Sequence, residues 1–233
     1  MKASRFMGNM TFAVEDLPVP QAGPGELVVR NKVCGVCGTD VHIYHGEPGS
    51  ADVNPPVVLG HEYSGEVVEV GEGVTGFAVG DHVTIDPNIY CGHCPYCQNG
   101  KKQLCPSMEA IGVTRDGGFA QYSLIPASQA FKLDPTVSWE AAAMAEPLAC
   151  CLHGIDLAGI QAGDKVCVVG GGAIGLIMVQ LAKLSGASKI VLSEPNEKRR
   201  QVGLQLGADA AIDPTQPGCE QAFTQAMSGA ADV

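Results

Sequence analysis

The segment Lys165–Gly175, KVCVVGGGAIG, constrains the fold of this 233-residue chain more than any other. It places G-x-G-x-x-G at Gly170, Gly172 and Gly175, directly after an apolar run and at the opening of a second one, AIGLIMVQLAKLSG. Glycines at this spacing permit a tight turn, close approach of backbone to a pyrophosphate and close helix–strand packing, with the helix N-terminus facing the phosphate charge. The flanking sequence alternates strand-like DKVCVVG, SKIVLSE and ADAAIDP with helix-like AIGLIMVQLAKLSG and NEKRRQVGLQLG, then a helix from about Gly218 to Met227. Such alternation predicts βαβ units and a parallel sheet. Glu194 ends the second strand, where a carboxylate would bind both ribose hydroxyls and repel a 2′-phosphate. The expected cofactor is therefore NAD rather than NADP. Arg199 is a further candidate for cofactor binding, although Arg199 and Arg200, at a helix start, also suit a solvated surface.

The first 135 or so residues read differently. Short β-rich runs, GELVVRNKVCG, PPVVLGHEYSGEVVEVGEGV, GDHVTIDP and GGFAQYSLIP, are separated by turn signals, which predicts a β-dominated domain with long functional loops. From Ser138, SWEAAAMAEPLACCLHGIDLAG reads as helix, with Ser138 as N-cap and Pro147 opening a second helical segment. The expected domains are residues 1–150 and 151–233.

Ten cysteines need an explanation. The start, MKASRFMGNMTFAVEDL, has no apolar core of signal-peptide length, so a cytoplasmic chain is expected and a disulfide framework is not. Cys91, Cys94, Cys97 and Cys105 fall in one turn-rich segment, CGHCPYCQNGKKQLC, where four thiolates can wrap one ion tetrahedrally; zinc is the usual occupant. A second constellation is dispersed: Cys37, His61, Glu62 and Glu146. Thiolate, imidazole and carboxylate together suit a catalytic zinc that keeps a position open for water or substrate. Cys34 and Cys37 also form a C-x-x-C, but without the βαβ context of a thioredoxin-type pair. Cys150, Cys151, Cys167 and Cys219 show no partner pattern.

Charge and hydropathy narrow the partners. A formal charge of −11, from 25 acidic against 14 basic residues, argues against nucleic acid and for a small molecule. The longest uncharged stretch, Val166 to Ala182, is shorter than the ~20 apolar residues of a spanning helix and is broken by glycines, so no membrane partner is expected.

Taken along the chain, CGVCGTDVH, GHEYSGEVVEVG, GDHV, the four-cysteine segment, GGFAQY and VVGGGAIG resemble the zinc-dependent medium-chain dehydrogenases/reductases, the alcohol and polyol dehydrogenases. The resemblance implies an α/β protein with a β-rich part: a GroES-like catalytic domain followed by an incomplete Rossmann dinucleotide-binding domain. By position, Cys37 and His61 match catalytic-zinc ligands, and Glu62 matches a neighbouring ligand. Glu146, in EPLAC, is similar to the glutamate of sorbitol, butanediol and related polyol dehydrogenases. CGTDVHIY also resembles threonine dehydrogenase. Thr39 and His42 match the family's proton relay, and Asp40 would orient a ligand from behind. The implied activity is hydride transfer from a secondary alcohol to the nicotinamide, with one catalytic and one structural zinc, in a full-length form that is a homo-oligomer. Family members run beyond SGAADV, so the third parallel strand is expected to become an exposed edge. A truncated, non-catalytic zinc-binding protein is the competing reading.

Overall fold

A computed structural model describes residues 1–47 and 53–233. The chain divides into two compact units, Met1–Glu146 and Pro147–Val233.

Among its described residues the first unit has ten strands: β1 (Lys2–Gly8), β2 (Thr11–Asp16), β3 (Glu26–Cys34), β4 (Val57–Val58), β5 (Tyr63–Val70), β6 (His82–Ile85), β7 (Asn88–Ile89), β8 (Glu109–Ala110), β9 (Tyr122–Pro126) and β10 (Ala130–Lys132). A five-stranded sheet of order β10-β6-β5-β3-β9 is its centre, flanked by β2-β1-β4 and by the β7-β8 pair. Runs such as ELVVRNKVC form strands because β-branched side chains pack well on a pleated, half-buried surface. Leu27, Val29, Tyr63, Val67, Val83, Ile85, Ile111 and Ile125 close the core over this sheet. Between the strands lie α1 (Gly38–His45), the single-turn α2 (Pro95–Gln98) and α3 (Trp139–Ala143). Ser138 caps α3 as the sequence predicts, its hydroxyl accepting from the N–H of Ala141 at 3.2 Å.

In the second unit, α4 (Ala145–Ala158) leads through a turn to β11 (Lys165–Val169), α5 (Ala173–Leu184), β12 (Lys189–Ser193), α6 (Glu197–Leu206), β13 (Ala210–Ile212) and α7 (Cys219–Met227). The three strands are parallel in the order β11-β12-β13, as the alternation predicts. Val166, Val168, Val179, Ala182, Ile190 and Leu192 form a separate core. The third strand, β13, is an edge as expected; β11 lies at the other end of the sheet, and residues 232–233 hydrogen-bond alongside it. Asp232 N–H donates to Lys165 O at 2.8 Å, and Cys167 N–H donates to Val233 O at 2.9 Å. Among the described residues, no helix is long and apolar enough to cross a membrane.

Candidate metal centres and nucleotide cradle

The four-cysteine segment folds around its sulfurs. Donor atoms of Cys91, Cys94, Cys97 and Cys105 lie within 4.8 Å of one another, and none is in a disulfide. Backbone N–H groups aim at these sulfurs: Cys94 N–H at Cys91 Sγ (3.3 Å), Cys97 N–H at Cys94 Sγ (3.4 Å) and Cys91 N–H at Cys105 Sγ (3.5 Å). Donors to the charged form favour thiolate. The N–H of His93, then that of Cys94, draws Cys91 down to about 6, whereas burial pushes Cys97 up to about 12. His93 turns its Nδ1 to Cys91 O at 2.8 Å and so leaves the sulfur cage alone. The segment has a four-residue helix and few buried side chains, too little apolar area to order itself. Structural zinc contributes ~10–16 kcal/mol in small metal-folded units, as much as a whole domain's net stability, so a metal bound there would dominate the ordering of the lobe.

Three of the four members of the dispersed constellation converge. Cys37, His61 and Glu62 place their donor atoms within 4.8 Å of one another. Local sequence explains each position. Cys37 is the N-cap of α1, and Asp40 reaches back to accept its N–H at 2.8 Å, closing a capping box. His61 and Glu62 immediately precede β5, which the central sheet holds on both sides. Asp40 is 3% exposed and His61 7% exposed, with Asp40 Oδ1 3.8 Å from His61 Nδ1. Neither of these two atoms has a hydrogen-bond partner, an arrangement that suits a ring held from behind by a carboxylate while its other nitrogen takes a metal. Burial drags the His61 pKa down, but its hydrogen bond to Cys37 and the charges of Asp40, Cys37 and Glu146 outweigh it and leave a net rise. Glu146, half-buried in the first turn of α4, is not among the three grouped donors, and its charge is the smallest of those raising His61. Burial raises Asp40 and lifts the neighbouring Cys34 thiol to about 12, so Cys34 is an inert core thiol beside the site. Thr39 Oγ1 lies 3.6 Å from Cys37 Sγ. His42, one turn further and exposed, holds Glu47 Oε2 through Nδ1 at 2.7 Å, a pairing that sequence reasoning missed.

The glycine segment forms a cradle between β11 and α5. Gly170 has φ +98°, open to glycine at little cost, and a Cβ on Gly175 would collide with Gly170 O. Gly172 caps α5 with no side-chain bond, and a Cβ there would meet nothing within 4 Å. That empty space in front of free helix N–H groups is what a pyrophosphate requires, and the residues therefore fit a dinucleotide. Glu194 is 3% exposed; Gly171 N–H donates to its Oε2 at 2.6 Å and Asn196 N–H to its Oε1 at 2.7 Å. The Asn196 donor, then that of Gly171, lowers its pKa, keeping it ionised with lone pairs to spare. Arg199 is exposed, in keeping with either expectation for it. Arg200 is not the solvated residue suggested by its position: it donates to Glu194 O (2.8 Å) and Pro195 O (2.7 Å) and pairs with Asp213 at 3.3 Å. It clamps the C-terminal ends of β12 and β13.

Two metal-ligand groups in a β-rich unit and a glycine cradle in a parallel-sheet unit define a metal- and nucleotide-using class of protein. Residues 23–135 match the Alcohol dehydrogenase GroES-like domain family, and residues 173–233 match the Zinc-binding dehydrogenase family. The chain belongs to the zinc-binding alcohol dehydrogenases, a family of oxidoreductases. It is 40% identical over 200 residues to L-threonine 3-dehydrogenase of Pyrococcus furiosus, covering 85% of this chain and 57% of that protein. It is also 40% identical over 229 residues to sorbitol dehydrogenase of Halalkalibacterium halodurans, covering 97% and 66%. Among solved structures, a zinc-binding dehydrogenase of Sinorhizobium meliloti 1021 bound to NADP superposes with a TM-score of 0.88 at 47% identity, covering 92% of this chain and 62% of that one. The chain thus spans about three-fifths of the length of these relatives.

Proposed function

We propose that the chain serves a zinc-dependent, NAD-linked dehydrogenase of secondary alcohols that carry a neighbouring hydroxyl or amine, with polyols and vicinal diols first. The observation that carries this reading is the meeting of Cys37, His61 and Glu62 within 4.8 Å, beside an acidic residue, Glu146, whose charge reaches His61.

Cys37, His61, Glu62 and Glu146 would hold the catalytic zinc; Cys91, Cys94, Cys97 and Cys105 would hold the structural one. Gly170, Gly172 and Gly175 would admit the pyrophosphate, while Glu194 and Arg199 would take the ribose. When bound, zinc acidifies a substrate hydroxyl as a Lewis acid and the nicotinamide takes up hydride. Asp40 orients His61 from behind. The Thr39 hydroxyl, next to Cys37, accepts the departing proton and passes its own toward His42. The imidazole, open to solvent and oriented by Glu47, releases the proton to water. An ionised Glu194 disfavours a 2′-phosphate and so favours NAD, in contrast to the NADP carried by the Sinorhizobium relative.

Reduction of NAD with sorbitol, butane-2,3-diol and L-threonine tests the reading. NADH formation with one of these, lost in Cys37→Ser, is the expected result. No turnover, with zinc confined to the four-cysteine lobe, would favour a non-catalytic zinc-binding protein.

A further inference from the structure

We infer that Ser64 is a positioning residue for the zinc site: its hydroxyl pins the segment that carries Glu146 to the strand that His61 and Glu62 lead into. The inference rests on the zinc-site assignment above. Ser64 is fully buried in β5, two residues beyond Glu62, and lies opposite Val33 of β3 and Thr84 of β6 at the middle of the central sheet. Its Oγ donates to the carbonyl of Trp139 at 2.7 Å, the first residue of α3. A five-residue helix gains too little from its own hydrogen bonds to hold a position, so α3 depends on what it packs against. It lies on β3, β5 and β6, and the Trp139 ring sits 3.9 Å from the His82 ring, with Lys32 Nζ 5.6 Å away on the same indole.

From Trp139 the chain makes one short helix, turns at Met144 and enters α4 with Glu146 in its first turn. The two halves of the constellation come from parts of the sequence more than eighty residues apart. A ring contact lets the helix slide over the sheet, because stacking is tolerant of small shifts. A buried 2.7 Å hydrogen bond to one carbonyl does not tolerate them, because its strength falls steeply with distance and angle. Ser64 thereby sets the reach of Glu146 toward His61 without touching the metal itself.

The test is zinc release from the zinc-loaded 233-residue chain to a chromophoric chelator. Cys37→Ser identifies which phase belongs to the catalytic site. Ser64→Ala should speed that phase about tenfold, as loss of a group that orients metal ligands does, and leave the lobe phase unchanged. Ser123→Ala is the control: it removes another buried hydroxyl of the same sheet, one that donates to Asn31 Oδ1 at 3.0 Å instead of to α3, and should leave both phases alone. In a Glu146→Ala background, Ser64→Ala should add nothing, because its effect passes through Glu146. An unchanged catalytic phase in Ser64→Ala, or equal acceleration in Ser123→Ala, overturns the inference alone. Absence of any Cys37-dependent phase overturns the zinc-site reading and the inference with it.

Discussion

Single residues carry the chemistry, and they differ in how far the sequence announces them. Cys37, His61 and Glu62 could be named because thiolate, imidazole and carboxylate are ligand types and the folded strands bring them within 4.8 Å. Arg200 could not. Its neighbours Glu194, Pro195 and Asp213 are set by where two strands end, and a helix-start arginine offers no signal that it folds inward. Ser64 is silent for the same reason: its partner is a backbone carbonyl far away in sequence. Gly175 was legible and its role can be measured. A methyl group there would collide with Gly170 O, so Gly175→Ala must displace the loop or the helix. The expected cost is about 1–3 kcal/mol in denaturant unfolding of the parallel-sheet unit, together with weakened binding of NAD.

Elements follow local rules except where they end. The alternation of apolar runs predicted β11 to α7 in order, since period and length distinguish buried strands from helices. The helical stretch from Ser138 and its division in two were also legible, but the break falls at Met144, and Pro147 lies inside α4 at a position where its missing N–H costs no helical bond. The placing of β11 at one end of the sheet, with residues 232–233 beside it, escaped the sequence reading because strand order is a property of the sheet, not of the strand. The ends of β12 and β13 also set a pH response. Asp213 is held below its ordinary 3.8 first by the Thr215 hydroxyl, and Glu194 below its ordinary 4.5 first by Asn196 N–H. A depressed carboxylate stabilises the fold fully above its unfolded value and loses that contribution as pH falls through the folded one. Amide-exchange protection of β12 should therefore hold at neutral pH and fall once the pH drops below the ordinary values of 4.5 and 3.8 toward the lower folded ones. Asp213→Asn should remove part of the slope; an unchanged profile would show that this carboxylate contributes nothing.

At the scale of the whole molecule, the chain separates its tasks. The residues proposed as zinc ligands of both kinds lie in the unit that ends at Glu146, and the proposed nucleotide cradle lies in the unit that begins at Pro147. The lobe, with little apolar area of its own, would depend on a metal held by its four cysteines, whereas the sheet around Tyr63 and Val67 has a core that would not. Loss of one zinc should therefore open the lobe, and loss of the other should leave the fold standing. The most direct measurement is the zinc content of the purified chain and of two variants, Cys37→Ser and Cys97→Ser, alongside limited proteolysis within 91–105. About two ions per chain are expected, falling to about one in each variant, with only Cys97→Ser cut in the lobe. A chain that holds one zinc and keeps it in Cys37→Ser would contradict a catalytic metal at Cys37, His61 and Glu62.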